Sequence, residues 1–305
     1  QACVPAYQGN VLQKDCEGRI TMQLDLQVIA ARTNQTVEEV ERLINQAKSS
    51  MIPLGKQLSV VEGGITRWLI VTRQGVGTIV TDFGEFHQFD FSIDDAWGKY
   101  SVLFFGELDE NLMPTFKNKE LLLVRIDSGC ETGQLFGDRT CECHEQLSLA
   151  IRTVSENGEG LIVNIPRQDG RGLGLPFKLA TLRLQRQLKL DTVEAANAIA
   201  PNGVIDIRTY SGVVGILKYF DIPARTKITL ATNNPRKAGA FVENGYEVTD
   251  YTPIVIPPTD LTRGHLEAKQ KHLGHIDLVP KPQEGDQDED ILPEPGTAPP
   301  SDDQE

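Results

Sequence analysis

A chain of 305 residues, 39% hydrophobic and 24% charged, is long enough for one large core or two small ones and has the balance of a soluble globular protein. No run of about 18 apolar residues occurs, so no membrane span is expected, and a formal net charge of −13 argues against a nucleic acid polymer as partner. Five cysteines, an odd number without framework spacing, point to a reducing, cytoplasmic compartment.

The opening QACVPAYQGN has neither a basic start nor an apolar core, so no signal peptide is expected. Residues 1–80 read as a partly helical extension. Within it, TVEEVERLINQAKSS carries a capping box, Thr36 with Glu39, and apolar residues at Val37, Val40, Leu43, Ile44 and Ala47, a stripe that should face protein. Cys3 and Cys16 have no His or Cys partner at ligand spacing and read as ordinary thiols. From about residue 66, TRWLIVTR, VGTIVTDF, YSVLFFGEL, ELLLVRID and GLIVNIPR are short β-rich runs divided by Gly, Asn and Asp.

A helix is expected over CECHEQLSLAIRTVSENG, where Leu147, Ala150, Ile151 and Val154 repeat at helical spacing and Gly158 lies past the end. Further helices are expected through LGLPFKLATLRLQRQ, at GVVGILKYF and after Pro235, with strands at KITLAT and YEVTDY. The alternation predicts an α/β fold, a mixed sheet flanked by helices, over 81–279. Residues 280–305 hold nine acids, one Lys and six Pro and should form a disordered tail; without them the net charge is about −5.

Four clusters carry chemistry. Cys130, Cys141 and Cys143 are soft ligands that select zinc over magnesium or calcium. Cys141 and Cys143 can reach one metal from a tight turn, with Cys130 arriving from the end of ELLLVRID. His144 is an available fourth ligand, so spacing leaves structural zinc, catalytic zinc and plain buried thiols all open. The second cluster is PRQDGRGLGLPFK, 166–178, whose glycines allow close backbone approach and whose Arg167 and Arg171 suit phosphate or a polar base edge. In DIRTYSG, Asp206 and Arg208 share one face of an extended chain. TLATNNPRKAGAF places Lys237 in the first turn after a strand.

In this order and spacing the cysteines, the RQ-x-GRG-x-GL run, DTVEAAN, D-x-R and TNNPRK resemble the GTP cyclohydrolase II family, from TDFGEF at 81 to LEAKQKHLGH at 275. The resemblance implies a zinc ion on Cys130, Cys141 and Cys143 with water in the fourth place, which zinc activates as hydroxide to attack the guanine ring. It implies a nucleotide pocket from Arg125 to Gly129, with Arg125 and Ser128 toward phosphate. Gln146, Asp169, Gly170, Arg171 and Thr192 complete it, and Thr232 and Lys237 contact the nucleotide. Asp206 resembles the family's proton acceptor and Arg208 its nucleophile toward the α-phosphorus as pyrophosphate leaves. Mg2+ accompanies the triphosphate, and a homodimer is expected.

Three positions depart from the family pattern. Asp169 stands where the run has Glu, Gly129 where relatives carry Glu, and Leu182 where a Tyr is usual near the base. The resemblance therefore implies a hydrolase opening the ring of GTP with formate and pyrophosphate release. One alternative is a divergent homologue acting on a uracil nucleotide, UMP or UTP in pyrimidine catabolism, or stopping at a formamide. Another is a non-catalytic nucleotide-binding protein with structural zinc.

Overall fold

The computed structural model describes residues 11–14, 20–276 and 278–279. Cys3, Cys16 and the acidic tail, with the expectations attached to them, lie outside these residues.

The strands are β1 (Val11–Lys14), β2 (Ile20–Gln23), β3 (Leu54–Glu62), β4 (Ile65–Thr81), β5 (Gly84–Ile93), β6 (Lys99–Phe105), β7 (Glu107–Leu108), β8 (Pro114–Thr115), β9 (Leu121–Ser128), β10 (Gly160–Ile165), β11 (Lys227–Ala231) and β12 (Glu247–Thr252). The helices are α1 (Leu26–Thr33), α2 (Val37–Ser50), α3 (Cys143–Asn157), α4 (Leu175–Leu188), α5 (Thr192–Ile199), α6 (Ser211–Tyr219), α7 (Gly239–Val242) and α8 (Arg263–Leu273). Eight strands form one sheet in the order β12-β11-β9-β10-β6-β5-β4-β3. The first four run parallel, and from β10 to β3 every pairing is antiparallel. This is the expected mixed sheet flanked by helices.

Period-two alternation sorts the side chains. In β9 and β10, Leu122, Val124, Ile126, Leu161, Val163 and Ile165 join the larger core, while Leu123 and Ile162 join the smaller one with Ala150 and Val154 of α3. Helix α6, with Val213, Val214, Ile216 and Leu217 buried, fills the larger core. Parallel strands buried on both faces read as continuous apolar runs, which is why LLLV and LIV stand out in the sequence.

The helix-terminus signals act as expected. Thr36 and Glu39 form a reciprocal capping box on α2, and Asp191 with Glu194 forms another on α5. Helix α3 ends at Gly158 with φ 81°, a left-handed turn that favours glycine. The α2 stripe faces protein only in part: Val40 is buried, whereas Leu43 remains 40% exposed.

Several expectations need correction. TRWLIVTR and VGTIVTDF are one strand, β4, because the register shifts between Arg73 and Gly75, leaving Gln74 without a partner in β5, in place of the expected turn. That strand reaches Thr81 and pairs with β3 and β5, so the boundary expected at 80/81 divides a continuous sheet. YSVLFFGEL splits into β6 and β7. After Pro235 the chain makes only a 3-10 turn, Pro235–Ala238, and the short α7.

Candidate active site

β9, β10 and β11 run parallel as neighbours, so their carboxyl ends open at one edge, the place where open α/β sheets bind ligands. Cys130 follows β9, the Asp169–Gly172 turn follows β10, and Thr232–Lys237 follows β11. Three sequence clusters far apart in the chain thereby meet.

The three thiols lie with their sulfurs all within 4.8 Å of one another, and the Cys130 and Cys141 sulfurs are 3.9 Å apart. Two sulfurs 2.3 Å from a tetrahedral zinc stand about 3.8 Å apart, so this donor set fits zinc. Gly133 backs the cluster. A Cβ there would fall 2.7 Å from the Cys141 sulfur and 3.1 Å from that of Cys130, so only glycine lets the turn pass. His144 is exposed and takes no place in the cluster, so among the described residues the group is three cysteines alone.

Lys178 adds positive charge, its Nζ standing 2.8 Å from the Cys130 sulfur and 3.4 Å from Asp169 Oδ1. Hydrogen bonds from Cys141, Cys143 and Lys178 pull the Cys130 thiol well below its ordinary range, despite burial. Cys141 is pushed up to about 11 by its hydrogen bond to Cys130, and Cys143 is raised well above its ordinary value by its hydrogen bonds to Cys130 and Cys141 and by burial.

The Gly-rich turn is left-handed at Gly170, Arg171 and Gly172, with φ of 59°, 58° and 89°. Arg171 is the costly member, because its Cβ crowds that conformation. Its Nη2 donates to Thr192 Oγ1 at 3.3 Å, and its carbonyl accepts from Ile207 N–H at 3.1 Å. Gly172 lies so near Trp97, Ile207 and Arg208 that any Cβ would strike them. The turn is therefore docked on the irregular segment, residues 204–210, that carries Asp206 and Arg208.

Arg208 donates from Nε to Asp206 Oδ1 at 2.9 Å and from Nη2 to Oδ2 at 2.7 Å. This bidentate pairing outweighs burial and holds the guanidinium above its ordinary value, and it lowers the Asp206 carboxyl. Arg236 adds a second cation 3.5 Å from Asp206. Lys237 is buried with its Nζ bonded to the Ile126 carbonyl at 2.9 Å. Burial, then the nearby Arg125 and Arg208, push its ammonium well below the ordinary lysine range. Such crowding of cations is a site prepared for anions.

One cavity takes in Arg125, Ser128, Gly129, Gln146, Asp169, Gly170, Arg171, Leu182, Thr192, Arg208, Thr232, Lys237 and the three cysteines. Asp206 does not line it and reaches it through Arg208. Arg125 is tied to the Ala231 carbonyl at 3.1 Å and to Asp127 at 3.4 Å. The Ser128 hydroxyl is buried without a partner among the described residues.

Two of the three departures have structural counterparts. Asp169 accepts from the Glu131 N–H with both carboxylate oxygens, at 3.1 and 3.3 Å, which anchors the turn after Cys130. Gly129 donates to the Ile165 carbonyl at 2.9 Å, and a Cβ there would sit 2.8 Å from that oxygen and 2.9 Å from Pro166 Cα. Leu182 is simply an apolar wall.

Sequence reasoning missed Lys178, Gln168, Gln185, His265, Lys269 and His275, all of which line the cavity. Lys178 and Gln185 were findable: they sit three and four residues either side of Leu182, on its face of α4. Gln168 lies within the Gly-rich run, and its amide is buried with neither polar atom partnered among the described residues. The residues of α8 carried no comparable signal.

The family model for GTP cyclohydrolase II matches residues 73–253. The chain is 34% identical over 194 residues to GTP cyclohydrolase-2 of Picrophilus torridus, covering 64% of this chain and 93% of that protein. It is 33% identical over 228 residues to GTP cyclohydrolase-2 of Streptomyces coelicolor, covering 73% and 96%. It also matches the riboflavin biosynthesis protein RibBA of Bacillus mycoides at 34% over 207 residues, 68% of this chain and 48% of that one. A solved structure, RibBX, a two domain 3,4-dihydroxy-2-butanone 4-phosphate synthase from A. baumannii, covers 78% of this chain and 51% of its own. At 14% identity and a TM-score of 0.26 that likeness is too slight to bear on fold or function. With the match spanning more than half of its length, and the cysteine cluster and Gly-rich turn inside it, the chain belongs to the GTP cyclohydrolase II family.

Proposed function

We propose that the chain is a zinc-dependent cyclohydrolase that opens the guanine ring of GTP and releases formate and pyrophosphate. The observation that carries this reading is the meeting, in one cavity, of three thiols at zinc spacing with Arg125, Arg171, Arg208 and Lys237. A zinc ion held by Cys130, Cys141 and Cys143 supplies a Lewis acid that lowers the pKa of water, the reagent that ring hydrolysis requires.

The chain's own residues do the rest. The cations receive the triphosphate, with Mg2+ accompanying it, and a polyanion there relieves the repulsion that burdens Lys237. Asp206 fixes the plane of Arg208 through two hydrogen bonds. In the expected role, a terminal nitrogen of Arg208 bonds to the α-phosphorus as the bond to pyrophosphate breaks. Asp206, bonded to that guanidinium at 2.7 Å, is placed to take the proton. The amide of Gln146 and the apolar wall at Leu182 bound the base. The reading extends to a cytoplasmic homodimer.

One observation favours a second reading. Asp169 is occupied by the Glu131 N–H and by Lys178, so it is committed to the loop rather than to a base. Together with Leu182, this fits a pocket rebuilt for a uracil nucleotide, or a reaction that stops at a formamide. The test of the main reading is zinc content together with formate and pyrophosphate release from GTP, in the parent and in Cys141→Ser. Loss of zinc and ring opening in the variant is expected; unchanged turnover would remove the metal from the chemistry.

A further inference from the structure

Beyond the 73–253 stretch matched by the family model, α8 lines one side of the site. Its Ala268 and Leu273 pack with Val193 of α5, and Ile205 joins them. That seating carries Lys269 to the cavity wall, where its Nζ lies 2.6 Å from Glu142 Oε1. Glu142 stands between Cys141 and Cys143, and its side chain is only 2% exposed. Gln146 Nε2 donates to the same oxygen at 3.2 Å, so Lys269 is the one cation paired with this buried acid among the described residues.

The placement has two physical consequences. Removing the ammonium would take away the contact that holds this buried side chain in place, and Glu142 would shift toward other partners or water. Because its backbone links the two cysteines, that movement would carry their sulfurs with it. The ammonium also offsets an acid that would otherwise add its charge beside three thiolates, as Lys178 does at Cys130 on the opposite side.

We infer that Lys269 is a positioning residue for the metal centre: by gripping Glu142 it fixes the Cys141–Glu142–Cys143 turn and makes α8 part of the catalytic unit. The inference rests on the reading that the three cysteines hold zinc. Contacts one layer beyond metal ligands typically change metal affinity roughly 10–100-fold when removed.

The test is zinc affinity of the full chain by chelator competition, with the absorption spectrum of the Co2+-substituted protein as a report of ligand geometry. Lys269→Met should lose roughly 10–100-fold in zinc affinity and shift the Co2+ bands. Lys269→Arg should restore most of both, since it keeps the charge. Glu142→Gln should reproduce the loss, and the double variant should be no worse than either single one. Unchanged zinc affinity and Co2+ spectrum in Lys269→Met would overturn the inference, as would a loss that Lys269→Arg fails to restore. If Lys269→Met does not fold, Glu142→Gln decides, and an unchanged zinc affinity there overturns it. A parent that holds no zinc would overturn the proposed function and this inference with it. A zinc-holding parent with an indifferent Lys269→Met variant overturns this inference alone.

Discussion

Placing a side chain at Gly129 tests whether this departure from the family pattern is built into the fold. The residue follows the end of β9 and precedes Cys130, and its N–H donates to the Ile165 carbonyl at 2.9 Å. A Cβ would stand 2.8 Å from that same oxygen, 2.9 Å from Pro166 Cα and 3.4 Å from Arg167 N. All three are backbone atoms, so no rotamer change can relieve the contact. The ends of β9 and β10 must separate by several tenths of an ångström. Overpacking of this kind costs about 1–3 kcal/mol. For a chain of this size each kcal/mol is about 2–4 °C, so Gly129→Ala should melt roughly 2–12 °C lower. The displacement falls next to a zinc ligand and beside the turn that holds Asp169, so zinc affinity should fall as well. Gly129→Glu, which installs the residue that the resemblance leads one to expect there, should show the same loss and gain no activity. Differential scanning calorimetry and chelator competition read both effects. An alanine variant with the parent's melting temperature and zinc affinity would refute the close approach, and the departure would then be without structural consequence.

Arg208→Ala removes both hydrogen bonds to Asp206 and should slow pyrophosphate release by roughly 10²–10⁴-fold, the range for losing a group that takes part in the reacting step. Release at the parent's rate would contradict the role given to the pair. Leu182→Tyr puts a hydroxyl on the cavity wall and should raise the share of formate over formamide; an unaltered product ratio would speak against that position as a control point. Burial also pushes His265 well below its ordinary value. A separable part of the pH dependence comes from His275, whose imidazole is pushed down to about 3 by burial and by Lys269 and Arg208. Unfolded, it takes up a proton near pH 6.5, so the unfolded chain binds more protons between pH 6.5 and 3 and stability falls as pH drops through that window. His275→Gln should flatten the stability profile between pH 6.5 and 4.5 in denaturant titrations, and an identical profile would show that His275 is not the group responsible.

What the sequence made legible was local. The three cysteines, the glycines of the turn at 169–174 and the Asp206–Arg208 alternation each lie within a few residues, and the parallel strands announced themselves as apolar runs. The capping box at Thr36 follows from hydrogen bonds spanning three residues; the same pattern at Asp191 was equally local but went unread. What it concealed depended on pairing. The phenylalanines of β5, Phe86, Phe89 and Phe91, are buried on opposite faces of the sheet, a pattern that reads as irregular until its neighbours β4 and β6 are known. Gly75 looks like a turn residue but is paired with Asp90 just past a bulge at Gln74, because the partner strand continues past it. Gly133 and Gly129 look dispensable until the sulfurs and the β10 backbone are set beside them. Lys269 meets Glu142 across 127 residues, a contact that no spacing rule anticipates.

The most direct test of the central claim is to incubate the zinc-loaded protein separately with GTP, UTP, UMP, CTP and ATP and read the products by mass spectrometry with a formate assay. Formate and pyrophosphate from GTP, with the pyrimidine nucleotides and ATP untouched, is the expected result. Consumption of a uracil nucleotide with GTP intact would contradict it and would mean that the same three-cysteine centre serves a different base.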